Sequence, residues 1–180
     1  IETRHVRQFE VENHAVPLPA AESSKARFAS SHQLYLNIVV VQQLTNADAL
    51  DRIVGAHVRA LQPGHAIDVV SADGHTVKPW FDGKIDFSPP VKDLGQQGFA
   101  LVGGRLDYVD QKVAAVMVYR RRQHQIDLFA WPGNAAPPVA AWSQDGYHVR
   151  AWNQDGFVLW AVSDLNESEL DEFVRRWRAG

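Results

Sequence analysis

The sequence predicts an α+β domain: an antiparallel β-meander sheet with helices packed on one face, ending in a C-terminal helix. Three observations carry this reading. Short apolar segments separated by turn residues follow one another from Arg105 to Trp160. Two other stretches, near 46–61 and 167–178, repeat apolar residues at helical spacing. The composition is 46% hydrophobic, with six Trp and eight Phe among 180 residues, which is enough to fill a core.

Residues 1–45 read as an N-terminal arm or linker, because Pro17, Pro19, Ser23, Ser24, Ser30 and Ser31 punctuate them. A single strand is expected over Gln33–Val41, where Ile38, Val39, Val40 and Val41 are β-branched. Residues 46–180 then form one α+β domain. Thr45 and Asp48 offer a cap and an acidic first turn for a helix over Asn46–Leu61. Leu50, Ile53, Val54, His57, Val58 and Leu61 make its apolar stripe, and Pro63-Gly64 stops it. Ala66–Ser71 is a short strand ended by Asp73-Gly74, and His75–Val91 is an irregular segment held by its surroundings.

Arg105–Val109, Val113–Tyr119 and Gln125–Trp131 are successive strands. Val113–Tyr119 is apolar on both faces, as a strand covered on each side must be. Trp142-Ser-Gln-Asp-Gly-Tyr147 then recurs as Trp152-Asn-Gln-Asp-Gly-Phe157. Each copy suits a type I turn closed by a left-handed glycine, with Trp142 facing Tyr147 and Trp152 facing Phe157. In the last helix Asn166 is the N-cap and Glu169 completes a capping box. Leu165 and Leu170 staple its entry, and Leu170, Phe173, Val174 and Trp177 form the buried stripe.

The charge balance bears on partners. A net charge of −3 lacks the basic excess of a nucleic-acid surface, so no nucleic acid is expected. The chain has no cysteine, which excludes disulfides, thiolate zinc sites and thiol redox sensing. No apolar run approaches a membrane span, and residues 1–20 lack the apolar core of a secretory signal. Ile1 in place of a start methionine is read as a cut from a longer protein.

Catalytic chemistry is not expected. Gly-x-Ser-x-Gly is missing, and Gly103-Gly104 precedes a strand and not a helix, so neither a nucleophile elbow nor a phosphate cradle is indicated. His57, His65, Asp68, Asp73 and His75 bring imidazole and carboxylate close in sequence, a set that suits zinc or iron. Their spacing fits no local ligand motif, and His57 on an apolar helix face also reads as a buried, satisfied histidine. Lys78, Trp80, Phe81 and Lys84 offer an apolar platform with point charges for an anion or an acidic partner. The simpler reading turns both rings inward and leaves the lysines solvated. The expected ligand- or partner-binding residues are therefore His57, Asp73, His75, Lys78, Trp80, Phe81 and Lys84, with no cofactor and no metal. Arg120-Arg121-Arg122 reads as a solvated turn that discourages edge pairing.

A longer motif string runs through these residues. His57-Val-Arg59, Asp68-Val69, His75-Thr-Val-Lys-Pro-Trp-Phe-Asp-Gly-Lys84 and Asp86-Phe-Ser-Pro-Pro90 come in order. Leu101-Val-Gly-Gly-Arg-Leu-Asp-Tyr108, Val118-Tyr-Arg-Arg121, Trp131-Pro132 and Trp160-Ala-Val-Ser-Asp-Leu165 follow. From about Asp51 to Phe173 the chain resembles the extracytoplasmic C-terminal region of bacterial transmembrane anti-sigma factors. The resemblance implies a periplasmic signal-receiving domain whose signal is an envelope protein or a small ligand. It also implies that a sigma factor of the extracytoplasmic-function group is held by a separate cytoplasmic domain, and that membrane anchoring belongs to the full-length protein. The alternative is a metal- or small-ligand-binding periplasmic protein, possibly hydrolytic, built around His57, His65, Asp73 and His75.

Overall fold

The computed structural model describes residues 32–36, 47–62, 64, 66–71, 74–109, 111–135, 137 and 140–180. Residues 1–41 and 42–180 are two compact units. In the first, 32–36 are helical, with Leu34, Tyr35 and Leu36 exposed. The strand expected over Gln33–Val41 is therefore not formed at its start. Glutamine and leucine favour helix, and the β-branched run begins only at Ile38, outside the described residues.

The second unit is α+β, as the sequence indicates. Its strands are β1 (Val69–Val70), β2 (Ala100–Val109), β3 (Lys112–Arg121), β4 (His124–Pro132), β5 (Ala141–Gln144), β6 (Tyr147–Gln154) and β7 (Phe157–Ser163). They form one seven-stranded sheet in the order β1-β2-β3-β4-β7-β6-β5, antiparallel at every pairing. The order departs from a simple meander. After β4 the chain crosses to the far edge, and two hairpins bring it back so that β7 lies beside β4. Among the described residues the α-helices of this unit are α1 (47–60), α2 (Gly74–Phe81) and α3 (Glu167–Ala179).

Both faces of the sheet are buried. Val77 and Phe81 of α2 and Leu170, Phe173 and Trp177 of α3 pack over Leu101, Met117, Leu128 and Leu159. These two helices share one face of the sheet. The opposite face, with Val116, Phe129, Trp160 and Val162, is covered by Leu50, Ile53 and Ala56 of α1. That explains why β3 is apolar on both sides. The buried stripe of α1 is Leu50, Ile53, Ala56, His57 and Ala60. Val58 and Leu61, placed in the stripe from sequence, are 39% and 45% exposed. The small alanines let the helix approach the sheet along a face rotated from the one that large residues alone suggest.

Residues 75–81 correct the expectation of an irregular segment, because they are the body of α2. Val77 and Phe81 stand one helical turn apart and are both fully buried. The Gly103-Gly104 pair lies inside β2, where a β-bulge shifts the register between Leu101 and Gly103. A Cβ on Gly103 would lie 2.2 Å from the Val69 carbonyl oxygen, and one on Gly104 would lie 2.9 Å from the Phe81 ring. The two glycines therefore admit β1 at the edge and the Phe81 ring above the sheet.

The repeated hairpins use tighter turns than the sequence reading assigned. Gln144 pairs with Tyr147 and Gln154 with Phe157, leaving two-residue Asp-Gly loops. Asp145 and Gly146 have φ of 52° and 81°, and Asp155 and Gly156 have 52° and 79°, so both positions of each loop are left-handed. That is the type I′ geometry, whose twist matches the strands, and not a bulged type I turn. The register then sets Trp142 opposite Val149 and Trp152 opposite Leu159, not opposite Tyr147 and Phe157.

The C-terminal helix follows the sequence reading closely. The Asn166 side chain accepts a hydrogen bond from Glu169 N at 3.0 Å, and Leu165 and Leu170 are both buried. The arginine run does more than solvate a turn. Arg121 donates to Glu169 and Glu172, Arg122 pairs with Glu169, and the Arg121 guanidinium lies 4.4 Å from the Phe99 ring centre. These contacts clamp α3 to the β3–β4 hairpin. Among the described residues no helix is long and apolar enough to cross a membrane.

Candidate functional site

Four charged or polar side chains meet between α1 and the sheet. Asp127 interrupts an apolar strand, β4, and faces α1 beside Phe129; its side chain is fully buried. Its Oδ2 accepts hydrogen bonds from His57 Nδ1 at 2.8 Å and from Arg105 Nη2 at 2.9 Å. Its Oδ1 accepts one from Gln125 Nε2 at 2.9 Å. Burial works against the charged form of this carboxyl. The hydrogen bond from His57 and the positive charge of Arg105 together outweigh it, holding Asp127 below its ordinary range. A charged carboxylate only accepts, so His57 Nδ1 carries the hydrogen of this bond. His57 Nε2 has no hydrogen-bond partner among the described residues, and the ring meets Tyr147 edge-on at 5.6 Å.

Arg105 carries this network outward. Its Nη2 also stands 3.6 Å from Asp107 Oδ2, its Nη1 reaches the Ala66 carbonyl at 3.4 Å, and it stacks 5.5 Å from the Phe129 ring centre. Arg105 also lines a cleft of about 320 Å³, together with Ala56, Arg59, Ala60, Gln62, Gly64, Asp68, Leu106 and Asp107. The floor is sheet and helix: buried Arg105, Ala56 and Ala60, with half-buried Leu106 and Asp107. Arg59, Gln62, Gly64 and Asp68 form an exposed rim. Two backbone N–H groups of the β2 edge are capped by carboxylates here. Leu106 N donates to Asp68 Oδ2 at 3.1 Å and Tyr108 N to Asp107 Oδ1 at 2.8 Å. β1 pairs only with Gly103 and Gly104, so these caps protect the edge that β1 leaves uncovered.

The residues singled out from sequence do not converge. His57 belongs to the buried network on the α1 face. His75 and Lys78 are exposed on α2, which packs on the opposite face. Asp73 and His65 lie outside the described residues. Among the described residues no group of three or more histidines and carboxylates is placed to hold a metal ion. Phe81 is fully buried, so the apolar platform reduces to the half-buried Trp80, edge-on to Phe81 at 5.2 Å with Lys84 Nζ 4.9 Å from its ring centre. Lys78 and Lys84 are exposed, which matches the inward-anchored reading of this segment.

A second polar cluster joins β5, β6 and α3. His148 Nδ1 lies 2.7 Å from Ser143 Oγ and 3.6 Å from Glu167 Oε1. A hydrogen bond from Ser143, then the neighbouring Arg150, holds the Glu167 carboxyl below its ordinary range. Serine and carboxylate approach the same ring nitrogen, whereas a nucleophile relay needs them at opposite nitrogens. This cluster therefore fastens α3 to the sheet, alongside the Arg150–Asp171 pair at 2.6 Å, and does not activate the serine.

Sequence reasoning found His57 and missed Arg105, Asp107 and Asp127. The available signal was a charged residue inside an apolar strand, Ile126-Asp127-Leu128, where burial forces a partner. Comparison with protein-family models, with curated proteins and with solved structures finds no match to this chain.

Proposed function

We propose that this chain is a signal-receiving domain, acting as the extracytoplasmic part of a membrane-bound anti-sigma factor. The observation that carries the reading is the cleft between α1 and the β2 edge. It opens onto a buried ion network that ties α1, β2 and β4 together. An occupant touching Arg105 changes the balance of charge around Asp127 and so the seating of α1. A coupling of about 1–3 kcal/mol between such a site and a distant event is the usual scale of allostery. The ordered motif string from Asp51 to Phe173 supports the anti-sigma context. In such a protein the domain would lie in the periplasm, with the sigma factor bound by a separate cytoplasmic segment.

The test uses the full-length gene in cells that carry a reporter driven by the neighbouring sigma factor. The intact protein should hold the reporter low until an envelope stress is applied. A version lacking residues 42–180 should lose that response while still binding the sigma factor. A full-length product that binds no sigma factor, or a truncated one that responds normally, contradicts the proposal.

A further inference from the structure

We propose that the cleft binds a free α-amino acid as its zwitterion, an inference that rests on the cleft being the receiving site. Four charged side chains line the cleft, two of each sign: Arg59 and Arg105, Asp68 and Asp107. Arg105 is the anchor. Its side chain is 4% exposed, yet it borders the cleft. Of its five N–H donors, those on Nη2 face Asp127 and Asp107, and Nη1 makes one long contact to Ala66. A nearly buried arginine that lines a cavity, and whose Nη1 makes only a long 3.4 Å contact to the Ala66 carbonyl, is a seat for a carboxylate.

Asp107 stands beside it. The 3.6 Å between Arg105 Nη2 and Asp107 Oδ2 exceeds a hydrogen bond, so the pair is loose enough to be bridged. A ligand that satisfies both must carry its anion and its cation next to each other, as the carboxylate and ammonium on one α-carbon are. A ligand with a carboxylate alone would bring its charge against Asp107 and Asp68. A simple amine would meet Arg105 and Arg59. The mixed lining therefore rejects both singly charged classes. Arg59 at the rim makes no ion pair among the described residues, and its guanidinium lies over Gly55, where a Cβ would be 3.3 Å away. Ala56 and Ala60 of α1 form the apolar wall. The volume of about 320 Å³ is at the small end of ligand pockets, about 300–1,000 Å³, and suits a single amino acid better than a peptide.

The experiment is a titration of the isotope-labelled protein with glycine, L-alanine, L-leucine and L-glutamate, followed by amide resonances. The N-acetyl and the amide derivative of each is titrated alongside. At least one free amino acid should move the resonances of residues 56–60 and 105–107. It should bind at least tenfold more tightly than both of its capped forms. Arg59→Gln and Asp107→Asn should each weaken it at least tenfold; Arg59 is exposed, so that variant keeps the fold intact. Silence toward every free amino acid at millimolar concentration, or equal binding of the capped forms, overturns the proposal. If titration is silent while the same substitutions shift the sigma-factor reporter, the ligand class is wrong and the receiving site stands. If both are silent, the receiving site falls with it.

Discussion

Replacing Asp127 by Asn tests the buried network at its centre. Asparagine keeps the shape but loses the charge, and its amide turns a donor toward either Gln125 or the His57–Arg105 pair, which also donate. Arg105, 3% exposed, is left with Asp107 at 3.6 Å as its remaining carboxylate. Removing one partner of a buried ion pair costs about 3–5 kcal/mol. Two lost hydrogen bonds to charged groups, at about 1.5–3 kcal/mol each, give the same scale. In urea, where the slope is about 1–3 kcal/mol per molar, the unfolding midpoint should fall by on the order of 2 M with the slope unchanged. The pH dependence adds a second readout. The folded-state value of Asp127 is depressed, so its stabilisation is complete above the unfolded value and is lost as pH falls through the folded one. The parent protein should therefore lose stability below about pH 4, and the variant should lack that part of the acid slope. A cost under about 1 kcal/mol, or an acid limb identical in both proteins, would refute the argument that this charge is buried and paired.

Three further outcomes follow from the packing. Gly103→Ala should cost at least the 1–3 kcal/mol or so of an overpacked core, because the new methyl meets the Val69 carbonyl; the amides of β1 should then lose protection in hydrogen exchange. Asn166→Ala removes the cap on Glu169 N and should cost about 1 kcal/mol by thermal or chemical denaturation. Arg122→Ala breaks an ion pair whose arginine is 64% exposed, and should change stability by less than about 1 kcal/mol, less still in high salt.

Features set by neighbours in sequence were the readable ones. The capping box at Asn166, the Leu165–Leu170 staple and the Asp-Gly hairpins depend on residues a few positions apart. Even there, the exact turn type escaped, because Asp-Gly serves both a bulged type I turn and a type I′ turn, and strand twist decides between them. The α2 helix escaped because Pro79 and Gly83 read as breakers, while its fit depends on Val77 and Phe81 lying over Gly104. The placement of β7 beside β4 rests on contacts between distant parts of the chain, which no local pattern displays. The same holds for the site. His57 stood out as a histidine on an apolar helix face, but its partner Asp127 is 70 residues away along the chain, and Arg105, which shares that carboxylate, is 48 away. Grouping His57 with His75 followed sequence proximity, and the sheet lies between the helices that carry them.

The most direct test of the receiving-site account is the reporter response of the full-length protein carrying Arg59→Gln or Asp107→Asn. Both residues line the cleft, and neither belongs to the apolar core. The account predicts an altered threshold or amplitude of sigma-factor release at unchanged protein level, with an exposed α3 control such as Arg178→Gln behaving like the parent. A response identical to the parent in both cleft variants would contradict it.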